Sequence, residues 1–159
     1  METGDGKNYI EGNDGNDWIF GSQGKDYLFG DASEQTDSDT VLDEFDLSGG
    51  DDIIFTGVTT MGQGGDYVHG GYGDDRIYGE GYGDDFLYGE LGDDLIDGGP
   101  GNDMIWGDDY RAADSGAENT GLMWGHDTLY GGDGEDYVRG GHGDDYIFGG
   151  TGDDNLYGH

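Results

Sequence analysis

An aliphatic residue, mostly with aromatic neighbours, recurs along this chain at Ile10, Ile19, Leu28, Ile54, Val68, Ile77, Leu87, Ile96, Ile105, Leu129, Val138, Ile147 and Leu156. Where nothing interrupts it, the interval is nine residues. If the aliphatic is position eight of a nine-residue unit, position four is Gly in every unit. Position six is Asp in twelve units and Asn8 in the first. Thirteen units keep this register. They are Thr3–Glu11, Gly12–Phe20, Gly21–Phe29, Leu47–Phe55, Met61–His69, Gly70–Tyr78, Glu80–Tyr88, Gly89–Asp97, Gly98–Trp106, Leu122–Tyr130, Gly131–Arg139, Gly140–Phe148 and Gly149–Tyr157.

The columns predict a shape. Positions seven to nine form a short strand, because side chains alternate between the two faces of a strand and only the middle one is always aliphatic. That middle residue faces a core. The Gly-rich positions one to six turn the chain, since Gly adopts positive φ without the penalty a side chain brings. One strand and one turn every nine residues gives two of each per full coil. Stacked coils then make two parallel sheets with the position-eight side chains between them, each coil supplying pairing to its neighbour. A flexible Gly-rich linker has no such columns, and collagen repeats its Gly every third residue.

The register breaks in four places. Residues 30–46 read as an irregular insertion with one degenerate unit at Glu34–Leu42, and residues 107–121 as a polar surface loop. Thr56–Thr60 adds five residues and Gly79 adds one. Turns beside these breaks, near Asp31, Asp52 and Asp108, are expected to hold a cation irregularly or not at all.

Composition sharpens the problem. The chain has 159 residues, with 38 acidic against 5 basic, a net charge of −33, and 38 Gly. Only 31% of residues are apolar. Taken alone this describes a disordered chain, unable to offset its conformational entropy by burial and further opened by self-repulsion. An ordered repeat of this charge requires something to neutralise the carboxylates. The charge excludes nucleic acid and anionic membrane surfaces as partners. There is no Cys for a disulfide framework, and no apolar run long enough for membrane insertion. The N-terminus lacks the pattern of a secretory signal, and Met1 leads straight into the repeat, so the chain reads as part of a larger protein.

Units such as "GGYGDDRIY" (Gly70–Tyr78), "GGPGNDMIW" (Gly98–Trp106), "GGDGEDYVR" (Gly131–Arg139), "GGHGDDYIF" and "GGTGDDNLY" resemble the RTX family, the hemolysin-type calcium-binding nonapeptides. The resemblance covers most of the chain. It implies an all-β fold: a parallel β-roll, or right-handed β-solenoid, of stacked 18-residue coils with Ca²⁺ in the turns, spanning residues 1–159 as one domain. Ca²⁺ takes six to eight oxygen ligands, and a Gly-rich turn closed by Asp offers both carbonyls and a carboxylate. Carried over from the family, the position-six carboxylates are Asp17, Asp26, Asp52, Asp66, Asp75, Asp85, Asp94, Asp103, Asp127, Asp136, Asp145 and Asp154, with loop carbonyls completing each shell. Asn8 brings only a neutral oxygen. Turns sharing ions along an edge would hold on the order of ten Ca²⁺.

The acids at position five (Asp51, Asp74, Asp84, Asp93, Glu135, Asp144 and Asp153) are expected to be solvated or to support the ligands from outside. The aromatics at positions seven and nine are expected to form ladders along the strands rather than a binding surface.

Other chemistries find little support. The EF-hand loop has no clean match, and the four histidines (His69, His126, His142 and His159) are too scattered for zinc. The carboxylates repeat as a lattice, whereas catalysis needs one differentiated set. The reading is therefore a non-enzymatic, calcium-folded module of a larger secreted protein, working outside the cell. A calcium-dependent carbohydrate-binding or adhesion module, with a glycan or protein as its partner, is the alternative.

Overall fold

A computed structural model describes residues 8–12, 15–21, 24–30, 50–57, 65–108 and 125–158. The degenerate unit at 34–42, Asp31 and most of the 107–121 loop lie outside the described residues. The described chain contains thirteen strands. They are β1 (Tyr9–Glu11), β2 (Trp18–Phe20), β3 (Tyr27–Phe29), β4 (Ile53–Phe55), β5 (Tyr67–Tyr72), β6 (Arg76–Tyr78), β7 (Phe86–Leu91), β8 (Leu95–Asp97), β9 (Met104–Trp106), β10 (Thr128–Asp133), β11 (Tyr137–Arg139), β12 (Tyr146–Thr151) and β13 (Asn155–Tyr157).

Odd and even strands separate. The odd ones form a seven-stranded sheet in the order β1-β3-β5-β7-β9-β11-β13, and the even ones a six-stranded sheet, β2-β4-β6-β8-β10-β12. Every pairing is parallel. The architecture is a parallel β-roll, one coil per pair of strands.

Register places each position-eight residue on its counterpart one coil away, as Leu28 pairs with Val68 and Ile77 with Ile96. These side chains fill the space between the sheets: Leu28, Ile54, Val68, Ile77, Leu87, Ile96, Ile105, Leu129 and Val138 are fully buried. Removing each from water stabilises the roll by roughly 1.5–3 kcal/mol. Among the described residues no strand pairs with β13 beyond β11, or with β12 beyond β10, and there Ile147 is only partly buried and Leu156 is 45% exposed.

Two expectations are refined. Four strands (β5, β7, β10 and β12) run to six residues instead of three, because the main chain continues to pair past position nine. Gly71 pairs with Glu90 in this way, and Gly132 with Gly150. The breaks in register also fall inside turns rather than between units. Gly12 donates its amide to the Phe29 carbonyl of the next coil. Gly30, Thr56, Gly79 and Gly107 do the same to His69, Tyr78, Asp97 and Arg139. These four residues, read from the sequence as the starts of inserts, are position one of ordinary coils. In sequence the added residues follow them, and β2 pairs directly with β4 across the longest break.

The outward aromatics form ladders. On the seven-stranded sheet Phe29, His69, Tyr88 and Trp106 stack at centroid distances of 5.4, 4.7 and 4.7 Å. On the six-stranded sheet Phe20, Phe55 and Tyr78 stack at 5.2 and 5.0 Å. The stacked rings cover one another's faces, which stabilises the coils, while Trp18, Tyr146 and Phe148 stay at least half exposed.

Candidate metal centre

The turns stack as the strands do, and they bring the position-six residues into two columns. One edge carries Asn8, Asp26, Asp66, Asp85, Asp103, Asp136 and Asp154. The other carries Asp17, Asp52, Asp75, Asp94, Asp127 and Asp145. Within each column the Asp amide of one coil donates to Oδ1 of the Asp in the next, at 2.5–3.1 Å. All twelve aspartates singled out from the sequence are in these columns, Asp17 through its amide and the other eleven with Oδ1 accepting. Asn8 begins the first one, donating from its main-chain and side-chain nitrogens to Asp26 Oδ1 at 2.8 Å.

In every aspartate after Asp17 this arrangement uses one oxygen of the carboxylate. The second oxygen, Oδ2, of Asp66, Asp94, Asp103, Asp127, Asp136 and Asp145 is buried with no hydrogen-bond donor. A buried carboxylate oxygen in that condition is costly. Its surroundings explain what it suits. A Cβ built on Gly98 would come 2.7 Å from Asp103 Oδ2 and 2.5 Å from the Gly131 carbonyl oxygen of the next coil. The same pairing of a carboxylate oxygen with the next coil's carbonyl recurs beside Gly30, Gly70 and Gly107. At Gly30, Gly70, Gly98 and Gly107 position one is therefore Gly, because these oxygens occupy the space a side chain would need. The space is lined by acceptors, which suits a hard, oxygen-seeking cation.

The electrostatics agree. Burial, the largest cause, raises the Asp66 and Asp85 carboxyls from the ordinary 3.8 to about 7, and those of Asp103 and Asp127 to about 8. Asp94 is raised well above its ordinary value, and Asp136 and Asp145 are also raised, again chiefly by burial. Neighbouring carboxylates add to the rise, while the ladder amides oppose it. Without a cation these turns hold negative charge only against a penalty.

Among the described residues no three His, Asp or Glu side chains form a metal cluster. An ion held in these turns would draw most of its ligands from main-chain carbonyls, which the Gly-rich turns leave accessible. The residues present fit Ca²⁺ on those terms.

Position five forms separate, exposed ladders. Asp74 and Asp93 accept the amides of Asp93 and His126, at 3.0 and 2.8 Å, and Asp84 accepts that of Asn102 at 2.9 Å. These side chains cap the next coil from the solvent side.

Asp108 was not among the sequence-derived carboxylates. It occupies position two of its coil, where the next coil has Gly141. It is 5% exposed, and its Oδ2 accepts the His142 amide at 2.6 Å. Its Oδ1 is buried without a donor, and burial lifts its pKa to about 6. The sequence signal was an acid directly after Gly107, hidden because that glycine was assigned to a loop.

The model of the RTX calcium-binding nonapeptide repeat matches the chain in four copies, at residues 2–33, 62–81, 81–109 and 123–156. No curated protein and no solved structure matches it. With copies of the repeat over more than half of its length, and with the repeat's glycines and aspartates stacked into the turns of a parallel β-roll, the chain belongs to the RTX calcium-binding nonapeptide repeat family.

Proposed function

We propose that this chain is a calcium-folded module of a larger secreted protein, and that Ca²⁺ is held by the second carboxylate oxygens of the position-six aspartates. The observation that carries this reading is the row of buried Oδ2 atoms without a donor, of which those of Asp103, Asp127 and Asp136 lie in the same crowded space as a carbonyl oxygen of the next coil. Asp17, Asp26, Asp52, Asp66, Asp75, Asp85, Asp94, Asp103, Asp127, Asp136, Asp145 and Asp154 are the assigned carboxylates, with turn carbonyls supplying the other ligands. When bound, Ca²⁺ supplies the positive charge that lets these groups be buried while ionised.

With adjacent turns sharing ions, the chain takes up on the order of ten Ca²⁺. That cancels well over half of the −33 charge. Binding then drives folding, as in other domains whose site is absent from the unfolded chain. A module of this kind stays open where calcium is scarce and folds outside the cell. The turns repeat one arrangement without setting any residue apart, which supports a structural role rather than catalysis.

Titrating the chelator-treated chain with Ca²⁺, while following far-UV circular dichroism and calorimetric heat, tests this. The expected result is a cooperative gain of strand signal saturating near ten ions per chain. A β signature that persists in excess chelator at neutral pH overturns it.

A further inference from the structure

The outer aromatic row of the six-stranded sheet is broken at one rung. From β2 to β12, position nine reads Phe20, Phe55, Tyr78, Asp97, Tyr130 and Phe148. Tyr78 stacks on Phe55 at 5.0 Å with planes 15° apart, and Tyr130 on Phe148 at 4.9 Å and 9°. Each of these tyrosines therefore has one face covered and the other turned toward the gap. Two strand spacings, roughly 10 Å, separate the rungs that bear them. Asp97 fills the rung between with a side chain much shorter than a tyrosine. In register, Asp97 lies between the two tyrosine-bearing rungs, so the row has a slot there with a carboxylate between two aromatic positions. Asp97 is half-buried; its main-chain carbonyl accepts the Gly79 amide, and among the described residues its carboxylate makes no hydrogen bond or ion pair.

A slot of this form suits a flat cation. A planar group entering at the height of Asp97 lies about 5 Å from both rings, inside the roughly 6 Å reach of a cation–π contact. A guanidinium also offers two parallel N–H donors to the carboxylate below. An ammonium brings neither the plane nor the fork, and it is more strongly hydrated. The other sheet supplies a precedent: Arg139 occupies the matching row in register between Trp106 and Tyr157. The chain has only five basic residues against 38 acidic ones, so its field attracts a cationic partner.

We propose that the slot formed by Tyr78, Asp97 and Tyr130 receives an arginine side chain from a partner polypeptide. The guanidinium completes the interrupted ladder and pairs with Asp97.

The test uses the full chain saturated with Ca²⁺ and N-acetylarginine methylamide as probe, followed by NMR. The expected result is saturable binding in the millimolar range, with shifts centred on the Tyr78 and Tyr130 rings and the Leu95 and Thr128 amides. The citrulline analogue, which has the same shape without the charge, binds at least about tenfold more weakly. Asp97→Asn weakens arginine binding about tenfold with an unchanged circular dichroism spectrum. Asp97→Phe closes the row, raising the thermal midpoint and abolishing binding. The proposal is overturned if citrulline binds as well as arginine, if Asp97→Asn or Asp97→Phe keeps the affinity, or if the shifts map to the turn aspartates instead.

Discussion

The Asp94 amide donates to Asp127 Oδ1 at 3.0 Å although 33 residues separate them, against 18 for the uninterrupted pair Asp127 and Asp145. The ladder passes the break because Gly107 and Gly125 stand at positions one and four of a turn that resumes the register, whatever length of sequence joins them. Removing fifteen residues, 109–123, leaves the sequence Gly107-Asp108-Trp124-Gly125-His126-Asp127, a turn of standard length. Loop length itself contributes little, since doubling a loop costs only about 0.6 kcal/mol. The shortened chain is expected to fold at the same calcium concentration, with a thermal midpoint equal to or slightly above that of the parent. A large loss of midpoint would place structural contacts in the deleted segment.

Asp103 gives a prediction with opposite signs in two conditions. Its Oδ1 accepts the Asp85 amide at 2.8 Å, while its Oδ2 is buried without a donor. Asp103→Asn keeps the first interaction and replaces the second oxygen by a neutral NH₂. With calcium, one anionic ligand is lost, and affinity at the adjoining turns falls about tenfold. In chelator, one buried negative charge is lost, and the variant is more ordered than the parent. Calorimetry with Ca²⁺ and circular dichroism without it read the two arms. Loss of order in both would make Asp103 a packing residue only.

The core and both carboxylate columns were legible in the sequence because each rests on side-chain chemistry repeated at a fixed period. The places where it misled depend on the main chain. Position one needs an amide that reaches the carbonyl of the next coil, and Thr56 provides one as Gly12 does. Thr56 then uses its buried hydroxyl to accept the Glu80 amide at 2.8 Å. Glu90 stands at position two with φ of 83°, a conformation otherwise confined to glycine among the described residues, and its side chain pairs with His69 on the adjoining strand. Neither the strain nor the pairing has a signature in the nonapeptide pattern. Asp108 was obscured for the same reason, since its coil was taken to end at Trp106.

Gly98 separates the two roles of glycine. Its φ is not in the left-handed region, so the demand for glycine comes from the close approach of Asp103 Oδ2 and the Gly131 carbonyl. The carbonyl belongs to a paired main chain and cannot swing aside. Gly98→Ala is expected to cost about 1–3 kcal/mol in the calcium-loaded state, read as a lower chemical-denaturation midpoint. Gly158→Ala is the control, because nothing lies within 4 Å of the added methyl group. Its effect should stay within about 0.5 kcal/mol. Equal effects at the two positions would refute the crowding argument.

The raised carboxyl pKa values set the pH dependence of the metal-free chain. Asp66 and Asp85 titrate at about 7 in the folded state, and Asp103 and Asp127 at about 8, against an ordinary 3.8 when exposed. The folded state therefore binds more protons than the unfolded one between those values. Stability from this source is fully present below about 4 and is lost as pH rises through 7 to 8. In chelator, the chain is expected to gain strand signal when moved from pH 9 to pH 5, the latter kept above its pI of 4.1 to limit precipitation. Calcium reverses the trend, because it is held by ionised carboxylates: the concentration needed for half-folding should fall as pH rises from 6 to 9. Circular dichroism across this range, with and without Ca²⁺, gives both curves. A metal-free chain that loses structure on acidification would show that its buried carboxyls are stabilised as anions by the fold itself, and the case for a cation in these turns would go with it.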